Sequence, residues 1–162
     1  MDVKRIVTLT EEQLPQLLAL GTDAMQEDAW SATQIAQQLA RPRSINIGVF
    51  VEAQLVGFVF ATRLFDEAEL LQIGTTGSMR GNGLGKALLS ALAERLQAEE
   101  VTRLMLEVRS SNTAALALYQ RAGFAQDGRR KGYYAAPNES GEREDAVLMS
   151  SPVSAVLTSL GN

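Results

Sequence analysis

The sequence predicts one α/β domain, on three observations. Apolar stripes at helical spacing alternate with short β-patterned runs, with no internal repeat, low-complexity tract or linker between them. A length of 162 residues with 46% apolar content suits a single core. A glycine-rich segment, Arg80-Gly81-Asn82-Gly83-Leu84-Gly85-Lys86, stands where a strand pattern hands over to an amphipathic helix. The expected domain spans residues 1–152, and residues 153–162 read as a weakly specified tail.

The elements follow in order. A short strand is centred on Ile6, and Thr10 with Gln13 forms a capping-box pattern that opens the first helix. Ser31 with Gln34 repeats that pattern before a second helix. Strand patterns run from Ile45 to Val51, Leu55 to Leu64 and Glu69 to Ile73, the first two joined by a tight turn at Glu52-Ala53-Gln54. Leu84, Leu88, Leu92 and Leu96 recur every fourth residue and Leu89 widens the stripe, which predicts the helix after the glycines. Thr102 to Val108 is the next strand, and Asn112 caps a helix ending near Ala122, with Gly123 at its C-terminus. Phe124 to Tyr134 and Asp145 to Met149 close the strand set around a polar loop, Pro137 to Gly141.

Composition limits the chemistry. With no cysteine there is no disulfide framework and no thiol nucleophile. With no histidine the chain lacks the commonest general base and the commonest metal ligand, leaving carboxylates, tyrosines, lysines and water to move protons. A net charge of -4 argues against nucleic acid as the main ligand and favours a cationic partner. No run of about 18 apolar residues and no signal-peptide pattern is found, so no membrane span is expected and the expected compartment is the cytoplasm.

Gly81, Gly83 and Gly85 let the chain turn tightly beside a ligand, and the helix they open offers unpaired N–H groups backed by the positive end of its dipole. Arg80 and Lys86 add charge, so the segment is suited to holding phosphate. It is neither a dinucleotide fingerprint, because Leu88 stands where the third glycine of Gly-x-Gly-x-x-Gly belongs, nor a Walker A loop, because Ala87 follows Lys86. A helix entry with flexible glycines and no ligand is the alternative.

Two polar residues stand where packing alone is expected. Glu107, in Leu104-Met105-Leu106-Glu107-Val108, shares a strand face with Met105. It reads either as a desolvated carboxylate suited to a general base or as a strand-end glutamate paired with Arg109 or Arg103. Tyr119 reads either as a rim residue of the core or as a phenol beside the same ligand, because its helix follows the Glu107 strand and the glycine loop in β-α order.

Arg-x-x-Gly-x-Gly opening a long helix resembles the pyrophosphate loop of the GNAT superfamily of acetyl-CoA-dependent N-acetyltransferases. Within it, Leu106-Glu107-Val108-Arg109-Ser110-Ser111-Asn112 and Ala115 to Tyr119 through Gly123-Phe124 resemble the bacterial ribosomal-protein alanine N-acetyltransferases, the RimI family. So do Ala29-Trp30-Ser31, Phe65 to Ile73, Arg129 to Tyr134 and Arg143 to Ala146, which carry the resemblance over most of the chain.

The resemblance implies a GNAT fold, a central mixed, mostly antiparallel twisted sheet with helices on both faces. It implies acetyl-CoA as co-substrate, no metal, and direct transfer to the N-terminal α-amine of a protein, alanine of a small-subunit ribosomal protein. It assigns Glu107 as acceptor of the amine proton and Tyr119 as donor to the departing thiolate. It assigns the main chain of Ile73, Gly74 and Thr75 to the thioester carbonyl and pantetheine arm, the loop of Arg80, Gly81, Asn82, Gly83, Leu84, Gly85 and Lys86 to the pyrophosphate, and Asn112 to the same ligand. Ile73-Gly74-Thr75-Thr76-Gly77 is richer in glycine and threonine than that family's strand end. Asp66, Glu67 and Glu69 read as an acidic face for a basic peptide or as a solvated strand edge. The rival functions are acetylation of a small amine or a lysine side chain, and a non-catalytic domain that binds acetyl-CoA.

Overall fold

A computed structural model describes residues 4–135 and 141–161; the Pro137–Ser140 part of the expected polar loop lies outside them. Strands β1 (Lys4–Thr8), β2 (Ser44–Val51), β3 (Gln54–Leu64), β4 (Glu67–Thr75), β5 (Arg103–Arg109), β6 (Ala125–Tyr134) and β7 (Glu144–Pro152) form one sheet in the order β1-β2-β3-β4-β5-β7-β6. Every neighbouring pair is antiparallel except β4 with β5. The helices are α1 (Leu14–Met25), α2 (Ala32–Ala40), α3 (Leu84–Ala98), α4 (Thr113–Arg121) and α5 (Val153–Leu160).

The caps form as expected. Thr10 N–H donates to Gln13 Oε1 at 2.7 Å while Glu12 N–H donates to Thr10 Oγ1, closing a 3-10 turn that leads into α1. At the start of α2 Ser31 N–H donates to Gln34 Oε1 at 2.8 Å and Gln34 N–H donates to Ser31 Oγ at 3.2 Å, and Ala115 N–H donates to Asn112 Oδ1 at 3.1 Å at the start of α4. Gly123, at φ 97°, ends α4 in the left-handed region that glycine enters without penalty.

Alternation along the strands divides the core between two faces. The leucine stripe of α3 packs with Val49, Val59, Leu70, Leu104, Leu106 and Tyr119 on one face. On the other, α1 and α2 cover Phe50, Phe58 and Phe60, with Trp30 stacked on Phe60 at a centroid distance of 5.3 Å. The sheet is therefore mixed, mostly antiparallel, and flanked by helices on both faces.

Two expectations are corrected. The segment after Pro152 is not loosely specified: Val153, Val156 and Leu160, at i, i+3 and i+7, are buried in the core as α5 packs on α3. Eight residues give too short a periodic pattern to separate from a tail, and only the exposed flank of α3 makes that stripe worth burying. Glu69 is not on a strand edge, since β4 lies inside the sheet between β3 and β5 and Glu69 pairs with both Thr62 and Met105.

Candidate active site

The parallel pairing of β4 with β5 covers only Glu67–Leu70 against Arg103–Leu106, although β4 continues to Thr75 and β5 to Arg109. Leu71 is an extra residue in the β3–β4 ladder, where Phe60 faces Gln72 and Ala61 faces Leu70, and such a bulge bends its strand. Beyond it β4 stays with β3 as far as Gly57 and Thr75, while β5 stays with β7 as far as Arg109 and Ala146. The strands part, and the β5-facing edge of residues 73–75 is left free to pair with an extended ligand.

A cavity of about 610 Å³ opens at that gap, lined by Ile73, Gly74, Thr75, Arg80, Gly81, Gly83, Leu84, Gly85, Lys86 and Asn112, with Leu118 and Arg121 of α4 opposite. Asn82 borders the loop but is not part of its wall. Gly81 (φ 83°) and Gly83 (φ 76°) are both left-handed and face open space, and no side chain caps α3. The first turn thus presents free amide donors flanked by Arg80 and Lys86, with an apolar wall from Leu84 and Leu118 further along. This donor set fits a diphosphate linked to an amide-bearing chain. Gly74 has a packing reason: a Cβ there would lie 2.8 Å from Phe58 Cε1, 3.0 Å from Ala24 Cβ and 3.2 Å from Met25 Sδ. The glycine-rich strand end therefore lets α1 dock directly on β4. A larger cavity of about 790 Å³ lies between α1 and residues 51–56, reaching Met79, and holds none of the candidate residues.

Glu107 and Tyr119 come from opposite faces of the sheet. Leu106 and Val108, which flank Glu107, are buried in the same core as Tyr119, so strand alternation turns Glu107 toward the face that carries α1 and α2. Neither residue lines the cavity at the gap between β4 and β5. The Glu107 side chain is 22% exposed and its Oε1 lies 3.4 Å from an Arg130 guanidinium, a partner that the strand alone did not suggest. Arg130 is 53% exposed, so opening that pair costs under about 1 kcal/mol. The carboxyl of Glu69, one strand away, is held above the usual range by burial and then by the negative charge of Glu107. Tyr119 is 4% exposed, and burial, followed by Tyr134, raises its phenol well above the ordinary value. It keeps its proton at neutral pH.

Arg109 organises the wall beside them. It donates from Nε and Nη2 to both Asp28 oxygens at 2.8 Å, from Nη1 to Glu144 Oε2 at 3.0 Å and to Ala135 O at 3.1 Å, and lies 4.5 Å from the Tyr134 ring centre. These partners come from the turn after α1, from β7 and from the end of β6. The β6–β7 register shifts between Arg130 and Tyr134, where left-handed Gly132 (φ 60°) donates to Asp145 and accepts from Arg143. That irregularity aims Tyr134 at the site, where burial and the Glu107 charge push its phenol up to about 12. Sequence reading did not assign Tyr134, Asp28 or Arg109 to the site. Alternation does put Arg109 on the Glu107 face, but its partners lie 81 and 35 residues away in sequence. Among the described residues no group of His, Cys, Asp and Glu is arranged to hold a metal ion, and no helix is long and apolar enough to cross a membrane.

Residues 6–124 match the acetyltransferase (GNAT) family. The chain is 37% identical over 125 residues, 77% of its length and 82% of the relative, to the [ribosomal protein bS18]-alanine N-acetyltransferase of Escherichia coli strain K12. It is 35% identical over 144 residues, 89% of its length and 97% of the relative, to the protein of that name from Haemophilus ducreyi. The crystal structure of the ribosomal-protein-S18-alanine N-acetyltransferase from Escherichia coli superposes with a TM-score of 0.86 at 32% identity, covering 93% of this chain and 94% of that one. Parted strands, an uncapped glycine loop and this similarity along nearly the whole length agree, and the chain belongs to the acetyltransferase (GNAT) family.

Proposed function

We propose that this acetyl-CoA-dependent N-acetyltransferase acylates the α-amine of a protein N-terminus, namely an alanine of ribosomal protein bS18, with Glu107 and Tyr119 as its proton-transfer pair. The observation that carries the reading is the parting of β4 from β5 beyond Leu70 and Leu106, with the phosphate-suited loop lining the cavity at that gap. Similarity to bS18-alanine N-acetyltransferases over 77–89% of the chain supports the acceptor.

Acetyl-CoA, when bound, supplies an activated thioester and a thiolate leaving group. The loop from Arg80 to Lys86 and Asn112 hold it, and the main chain of Ile73, Gly74 and Thr75 offers hydrogen bonds along the free edge of β4. An α-amine with a pKa near 7.7–8.0 is largely protonated at neutral pH, so Glu107 exchanges Arg130 for the incoming ammonium and takes its proton. Tyr119, kept protonated by burial, is the donor toward sulfur. With no cysteine or histidine to carry an acyl group, transfer is direct and proximity provides much of the acceleration.

Intact-mass analysis of the protein with acetyl-CoA and a peptide bearing the bS18 N-terminus, beside an N-terminally blocked, lysine-containing control, tests this reading. Acetylation of the free-N-terminal peptide alone is expected, whereas transfer to lysine alone or to neither peptide would overturn it. Tyr119→Phe should leave the fold and the KM for acetyl-CoA unchanged and lower kcat about tenfold near pH 7. The loss is modest because a thiolate is itself a good leaving group, and it should shrink at high pH, where the free thiolate persists in solution. Wild-type kcat in the variant would remove Tyr119 from the mechanism.

A further inference from the structure

We infer that Asp23 is a positioning residue for the phosphate-binding loop, its carboxylate fixing the turn from which Arg80 to Lys86 leave β4. The inference rests on reading that loop as the acetyl-CoA site.

The chain must travel from Thr75 at the end of β4 to Leu84 at the start of α3, and little packing holds it on the way. Gly81 and Gly83 have no atom within 4 Å of where a side chain would begin, so no side chain of theirs packs the middle of the loop in place. Glycine pays the largest conformational entropy on ordering, so such a loop needs anchors at its ends. The downstream anchor is α3. Upstream, Asp23 in the last turn of α1 accepts on one oxygen, Oδ2, from Thr76 Oγ1 at 3.1 Å and from the Gly77 N–H at 3.0 Å. The Gly77 bond caps the short 3-10 turn of residues 77–79, whose last N–H bonds lead into Arg80. Those two bonds hold the Asp23 carboxyl below the usual range, with a smaller contribution from Arg80.

Asp23 is itself rigidly placed. The next two residues of α1, Ala24 and Met25, press on Gly74 at 3.0 and 3.2 Å from its virtual Cβ, and both line the donor cleft. Lys4 Nζ, which donates to Asn82 O at 2.9 Å, is the only other side chain from outside the segment that hydrogen-bonds to it among the described residues, and it ties down the opposite side. Asp23 thereby links the helix that borders the acceptor wall to the loop that holds the donor, and the amides of the loop are arranged before the ligand arrives. Preorganisation of this kind appears as affinity.

Calorimetric titration of the full-length protein with acetyl-CoA tests the inference, together with the KM for donor and acceptor. Asp23→Ala should weaken acetyl-CoA binding about tenfold and raise the donor KM to match, while kcat at saturation and the acceptor KM stay within about twofold. Asp23→Asn keeps an acceptor oxygen in place and should recover most of the affinity. Thr76→Val removes one of the two bonds and should fall between, and the double variant Asp23→Ala/Thr76→Val should bind no worse than Asp23→Ala alone because both bonds use the same oxygen. Unchanged affinity in Asp23→Ala, or a loss of melting temperature with unchanged affinity, would overturn the role. Where Asp23→Ala does not fold, Thr76→Val with wild-type affinity does so. A wild-type protein that binds no acetyl-CoA would instead bring down the reading of the loop, and this inference with it.

Discussion

Glu107→Gln should lower kcat/KM for the peptide acceptor about a hundredfold at pH 7 while acetyl-CoA binding stays within about twofold of wild type. Glutamine preserves the size of the side chain and its place on β5 but cannot accept the proton of an ammonium group. Its effect should be pH-dependent with a definite sign. Below the acceptor's pKa of about 8 the enzyme must remove a proton, and the variant is most impaired there. As pH rises past that value solvent delivers the free amine, and the difference should narrow. Stopped assays from pH 6 to 9.5 read this directly. A variant equal to wild type at pH 7, or a deficit that grows with pH, would mean that the proton leaves by another route. Arg130→Gln is the natural companion: the Arg130–Glu107 pair is long and exposed, so its loss should change kcat by no more than a few-fold.

Arg109→Met is expected to be the most damaging single change to the fold near the site. Methionine replaces the packing volume but leaves the Asp28 and Glu144 carboxylates without their cation, and Tyr134 without the guanidinium that lies against its ring. Breaking a fully buried pair costs about 3–5 kcal/mol, but Asp28 is 38% exposed and water recovers part of that, so about 2 kcal/mol is expected. In a domain of this size that corresponds to a drop in Tm of roughly 4–8 °C. The acceptor KM should rise as well, because Arg109 fixes Asp28 and the end of β6 on the same wall as Glu107.

The acid side adds a second readout. Glu144 is held below the usual carboxylate range by a Ser111 hydroxyl hydrogen bond and, further down in size, by Arg109. A carboxyl whose folded pKa is depressed stabilises the protein above its unfolded value of about 4.3, and that contribution is lost as pH falls through the folded pKa. The gap between wild type and Arg109→Met should therefore be full above pH 5 and shrink below about pH 4. An unchanged Tm, with an unchanged acceptor KM, would show that the three-way contact is incidental.

Much of this molecule was legible along the chain because the deciding interactions are local. Capping boxes at Thr10 and Ser31, the Asn112 cap and the leucine stripe of α3 act within four residues, and each formed where the sequence placed it. Gly81 and Gly83 could be read as a tight turn beside a ligand, and both do adopt the positive φ that glycine enters readily. Family resemblance, carried by motifs in order, reached the mixed sheet. The tertiary structure decided what depends on distant strands meeting. The Leu71 bulge that parts β4 from β5, the partner of Glu107 on β6, the burial of Val153, Val156 and Leu160 under α3, and the Arg109 link between Asp28 and Glu144 all join residues far apart in sequence. Side-chain period and capping chemistry fix what a segment becomes, but charge pairing and desolvation at a site depend on which surfaces the folded sheet brings together, and no local pattern records that.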